Sequence, residues 1–181
     1  MAKRAYKLAP WKSIFQNDYA NALGRKERYQ DAIAVYENLV YADPQYLWAY
    51  SDLARLYRLT GDLQRSYSYG QQFIELTADE YVISLSRNEA ALLGTGPNSD
   101  PVYIPEDLQK KYFGYYDIVL TSYLLGHTEE AKSYVNKAKD IQIDPHAESE
   151  IKRVLNYDIE RLQEEQEQLR SEADEFITKF L

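Results

Sequence analysis

The sequence predicts an all-α fold built from antiparallel helix pairs, and three observations carry that prediction. A pattern of small and large residues recurs at a spacing of 34. Only 7 Gly and 6 Pro interrupt the 181 residues, which leaves few places to turn. Near the C-terminus, apolar residues step by 3 and 4, the period of a helical seam.

Residues 1–11 read as a basic leader ahead of the first helix. Residues 1–17 carry Lys3, Arg4, Lys7 and Lys12 and no acid, but lack the continuous apolar stretch of a secretory signal, so a cytoplasmic location is expected. Residues 12–45 and 46–79 are two copies of the 34-residue pattern. Ala20, Leu23, Tyr29, Ala32, Tyr36, Leu39 and Pro44 mark the first copy, and Ala54, Tyr57, Leu63, Ser66, Gly70, Phe73 and Ala78 hold the same offsets in the second. Small residues stand where two helices must cross closely, and large ones where a pocket must be filled. Ser66 and Gly70 replace an Ala and an aromatic, so looser packing is expected in the second pair. Gly61 falls in the turn of that pair, where a Gly after a helix end adopts positive φ. Asp43-Pro44 and Asp144-Pro145 read as an N-cap followed by a first-turn proline.

An irregular helix–loop insertion, residues 80–111, breaks the period. Its "GTGPNSDPVYIP" is a loop, and helix resumes at about Glu106. Residues 112–145 form a third copy, in which Val119 to Ala131 repeats the 12-residue step of Ala20 to Ala32 and of Ala54 to Ser66. The helix after Glu106 either opens this copy or closes one begun at residue 81, and the pattern leaves both open. Residues 146–181 read as a long C-terminal helix with a heptad seam of Ile159, Leu162, Gln166, Leu169, Ala173, Phe176 and Phe180. Such a seam either caps the last repeat or forms a coiled coil.

The stretches "NDYANALGRKERYQDAIAVYENLVYADP", "YSDLARLYRLTGDLQRSYSYGQQFIELTAD" and "YYDIVLTSYLLGHTEEAKSYVNKAKDIQIDP" each resemble a tetratricopeptide repeat (TPR). The resemblance covers roughly two-thirds of the chain, and the three copies share one internal step. It implies a right-handed superhelix of helix pairs whose concave face is lined by the first helix of each pair. It also implies recognition of a protein segment, not catalysis.

Composition removes the main competitors. With no Cys there is no disulfide framework, thiolate metal site or cysteine nucleophile. His127 and His146 are far apart and suit exposed turn positions better than a metal or catalytic site. Phosphate-loop, zinc-protease and nucleophile-elbow motifs are missing, so neither a cofactor nor an enzyme is expected. A net charge of −8 disfavours nucleic acid, and no apolar run is long enough for membrane insertion.

The expected partner is a protein or peptide held in the concave groove. Residues off the core stripe of each first helix are the candidates: Asn17, Asp18, Asn21 and Arg25; Trp48, Ser51, Asp52 and Arg55; Phe113, Tyr116 and Asp117. Asn and Asp hold an extended backbone, while an exposed Trp or Tyr gives a rigid apolar anchor. Chaperone cofactors of the family clamp a carboxylate terminus with Lys, Arg and Asn. Only Asn21 falls at such a position here, and Asp52 stands where that clamp places Asn. Asp18, Asp52 and Asp117 share one equivalent site, so a basic or apolar segment is expected. The alternative function is self-assembly, a homodimer made through the C-terminal heptads.

Overall fold

A computed structural model describes residues 1–77, 106–139 and 153. Among the described residues there are seven helices: α1 (Ala2–Leu8), α2 (Ser13–Gly24), α3 (Tyr29–Ala42), α4 (Leu47–Leu59), α5 (Leu63–Leu76), α6 (Glu106–Leu124) and α7 (Thr128–Lys139). No strand occurs among these residues. α2 packs on α3, α4 on α5 and α6 on α7. Each pair is joined by a turn too short for anything but a reversal of direction.

One turn design closes all three pairs. Residues Glu27, Gly61 and Gly126 have φ of 59°, 83° and 78°. Each sits just past the first helix of its pair, and the first two are 34 residues apart. The following residue donates back five positions: Arg28 N–H to Leu23 O (3.1 Å), Asp62 N–H to Tyr57 O (2.9 Å) and His127 N–H to Ser122 O (2.9 Å). Glu27, Gly61 and Gly126 themselves donate to Gly24, Arg58 and Tyr123. This bond pair satisfies carbonyls that a helix end otherwise leaves bare. Two copies use Gly, and the first holds Glu27 in the same left-handed conformation.

The small positions named from the repeat are all buried. Ala20 and Ala32, Ala54 and Ser66, and Val119 and Ala131 are each at most 2% exposed. Around them, Leu23, Ile33, Tyr36, Leu39, Leu53 and Leu56 join α2, α3 and α4 in one apolar cluster. Pairs then stack in order: α3 lies against α4, and α5 against α6. First helices also touch first helices, α2 with α4 and α4 with α6. α6 packs on α5 as α4 packs on α3, it pairs with α7, and it begins inside the range assigned to the insertion. A copy begun at residue 81 would lie outside the described residues.

The second pair is not loose. At Gly70 an added Cβ would meet Ile118 of α6 at 3.6 Å, so the missing aromatic is replaced by a neighbouring helix. The approach is closer still at Gly114, where a Cβ would stand 2.5 Å from the Phe73 ring. Glycine on both sides lets α5 and α6 come together.

Residues 1–11 differ from the expected leader. They carry α1, which lies against α2 and stacks Tyr6 on Tyr19 with ring centroids 4.7 Å apart. An aromatic pair of this kind holds a short helix whose own propensity is insufficient. Residues 78–105, and with them most of the 80–111 insertion, lie outside the described residues. So does the heptad seam, Ile159, Leu162, Gln166, Leu169, Ala173, Phe176 and Phe180.

Two substitutions test these contacts by urea denaturation. Glu27→Gly relieves a left-handed residue and is expected to raise stability by about 1 kcal/mol. Gly114→Ala improves intrinsic helix propensity, yet it overpacks the buried Phe73 ring and is expected to lower stability by about 1–3 kcal/mol. A gain at position 114 would mean that α5 and α6 do not approach this closely.

Candidate functional site

The first helices α2, α4 and α6 lie side by side, and every expected groove residue but Arg25 lies on one of them. On α2, Asp18 is exposed, while Asn17 and Asn21 are half-buried. The Asn17 amide oxygen is buried and accepts no hydrogen bond among the described residues, an arrangement that is uncommon in folded proteins. Arg25 is exposed just past the end of α2.

On α4, Ser51, Asp52, Arg55 and Trp48 are all half-buried. Trp48 packs against the apolar cluster of α2, α3 and α4, so part of its ring is spent on packing. Asp52 accepts a 2.7 Å hydrogen bond from the Tyr36 hydroxyl of α3. Burial, reinforced by the Asp52 carboxylate, raises the Tyr36 phenol far above its ordinary pKa, and Arg55 pulls weakly the other way. Phe113 and Tyr116 belong to the backbone of α6, but their side chains lie outside the described residues.

Asp117 has a different environment from Asp18 and Asp52. Its carboxylate is 2.7 Å from the Arg58 guanidinium, with the two side chains 14% and 1% exposed. Arg58 also reaches the Asp117 carbonyl and Thr121 Oγ1, each at 3.4 Å, and Thr121 Oγ1 lies 3.1 Å from Ser66 Oγ. A guanidinium this deep needs a carboxylate beside it, because an unpaired buried charge costs several kcal/mol. The three aspartates thus share a repeat position but not a chemistry. Asp18 faces solvent, Asp52 holds a phenol and Asp117 neutralises Arg58.

The sequence reading missed Arg58. It sits among Leu53, Leu56, Tyr57 and Leu59, so its position signals a need for an acid. The acid that answers is 59 residues away, and nothing local points to it.

A second concavity, also unforeseen, opens on the opposite helices. Glu37, Tyr41, Tyr50, Arg65, Tyr69 and Gln72 line a cleft of about 630 Å³ between α3 and α5. Beside it the Tyr57 and Tyr69 rings stack at 5.6 Å and 4°, and the Arg65 guanidinium lies 5.3 Å from the Tyr57 ring centre. Tyr57 donates to Glu37 at 2.5 Å. Burial, together with that bond, pushes the Tyr57 phenol up to about 12.

Tyr36 and Tyr57 therefore cross between α3 and α4 in opposite directions, each giving its proton to a carboxylate on the other helix. Tyr67 of α5 does the same to Glu130 of α7 at 2.5 Å. The abundance of tyrosine, 18 residues in all, is in this part a set of links between successive helix pairs. Tyr50 instead donates to a carbonyl, that of Pro44, at 2.9 Å.

Among the described residues no group of His, Asp and Glu is arranged to hold a metal ion, and no helix is long and apolar enough to cross a membrane. The family model described as Tetratricopeptide repeat matches residues 15–46, which are α2, α3 and the turn into α4. No curated protein matches the chain.

Two outcomes are expected. Removing one member of the buried pair, by Arg58→Ala or Asp117→Ala, should cost about 3–5 kcal/mol in urea denaturation, while replacing both by Met and Leu should cost far less. Alkali should also weaken the fold. Tyr36, Tyr57 and Tyr67 have raised pKa values in the folded state, so their contribution is complete below pH 10 and is lost as pH rises toward and beyond 12. The urea midpoint should fall between pH 10 and about 12, and Tyr36→Phe should flatten that fall.

Proposed function

We propose, from the premise that this is a tetratricopeptide-repeat chain with residues 15–46 matching the repeat, that it is a non-catalytic scaffold or adaptor. Tetratricopeptide repeats generally mediate protein–protein interaction. The observation that supports the reading is the contact of α2 with α4 and of α4 with α6, which sets the first helices of three pairs side by side. Continued pair by pair, such a stack curves into a superhelix with this face inward. The ligand would be a protein segment lying across it.

Within that face the polar groups fall into two kinds. Asn17, Asn21 and Ser51 suit an extended backbone, which needs donors and acceptors at intervals. Asp18 and Asp52 supply negative charge to the face, and Asp117 is paired with Arg58. Trp48 offers the part of its ring that the core leaves uncovered. A segment carrying a Lys or Arg next to an apolar side chain meets all three demands. Arg25 and Arg55 belong to the same set of expected groove residues.

The test uses two labelled peptides of equal length and apolar content, one with lysines and one with glutamines in their place. Asp18→Lys with Asp52→Lys should weaken the lysine peptide roughly tenfold or more while leaving the glutamine peptide within a factor of about two. Unchanged affinity for both would remove this face as the binding site. Trp48→Ala should weaken both peptides alike.

A further inference from the structure

We infer that the N-terminal helix and the turn after it form a second, separate docking surface, which takes an acidic protein segment carrying apolar side chains. The chain's charge of −8 divides into +4 on residues 1–17 and −12 on residues 18–181. The whole positive excess therefore sits at one end of the stack. Lys3, Arg4, Lys7 and Lys12 are all exposed. Among the described residues Lys3, Arg4 and Lys7 make no ion pair.

The same end shows apolar surface that the fold does not use. Leu8 is 71% exposed and Trp11 is 74% exposed. Trp is seldom left this open, whereas a lone exposed Leu means little. The backbone at Trp11 is held in a turn. Lys12 N–H donates to the Ala9 carbonyl at 3.1 Å, closing a turn with Pro10 and Trp11 at its corners. The Tyr6–Tyr19 stack fixes α1 against α2, so the half-buried Ala2, Ala5 and Tyr6 face inward and the bases face out. Leu8 and Trp11 are thus exposed apolar side chains on the same short segment as four exposed bases. Carboxylates around a Leu, Phe or Met complement that arrangement.

An anionic lipid surface shares the charge but not the shape. The −12 charge of residues 18–181 repels an extended anionic surface, which favours a peptide segment over a bilayer.

Binding is measured by fluorescence anisotropy on the full chain, with a short labelled peptide of Glu, Leu and Phe and its counterpart with Gln for Glu. The acidic peptide should bind more tightly and should weaken as salt is raised. Lys3→Glu with Lys7→Glu, and Trp11→Ala alone, should each weaken it roughly tenfold or more. These side chains are exposed, and unchanged circular dichroism confirms that the fold is intact. The Asp18→Lys, Asp52→Lys variant should bind the acidic peptide no more weakly, which separates this surface from the groove. Equal affinity for the two peptides, or for the wild type and Trp11→Ala, overturns the inference. Cosedimentation with phosphatidylserine vesicles but no peptide binding overturns it in favour of a membrane. A concentration-dependent dimer lost in the same variants overturns it in favour of a second copy.

Discussion

A buried guanidinium fixes how the second and third helix pairs meet. Arg58 of α4 is almost wholly removed from water, and its partner Asp117 comes from α6, beyond 46 intervening residues of chain after α4. Coulomb attraction in a poorly solvated site is strong, but desolvating both ions offsets most of it. What remains is specificity. The register that sets Asp117 opposite Arg58 pairs the buried charge, and in that same register Thr121 accepts from Arg58 and lies 3.1 Å from Ser66 Oγ. Gly114 and Gly70 then allow α5 and α6 to close to the distance that this register requires.

Between the first and second pairs a different device does the corresponding work. Tyr36 and Tyr57 exchange hydrogen bonds with Asp52 and Glu37 across α3 and α4, over an apolar layer of Ala, Leu and Ile. A phenol is a suitable donor here because its ring can be buried while its hydroxyl still reaches a carboxylate at the rim. The cost is a phenol that resists ionisation, which ties this interface to pH only in the alkaline range. Repeats in one chain therefore share a backbone plan without sharing interface chemistry.

The groove candidates show how far repeat position predicts chemistry. Asp18, Asp52 and Asp117 are equivalent in sequence, and each lies on a first helix. Equivalence places their backbones; the neighbour decides the charge left over. A cation on the preceding repeat consumes Asp117, a phenol shares Asp52, and Asp18 of the first pair is exposed to solvent. The charge preference inferred for a ligand therefore rests on two aspartates of the three.

The period of 34, the buried small pairs and the turn at Gly61 were legible from the sequence, because each depends on residues within one helix pair. Glu27 was not, since a left-handed glutamate carries no local signature and is recognised only by the bonds around it. Nor was α1: a basic stretch of seven residues has too little propensity to stand alone and becomes a helix against Tyr19. The role of α6, the pairing of Arg58 with Asp117 and the cleft between α3 and α5 belong to tertiary structure alone. Local pattern sets which face of a helix is apolar, so it determined the fold class and the stripe on which a groove would lie. Which charges survive on that stripe depends on contacts dozens of residues apart, and only the packed chain decided them.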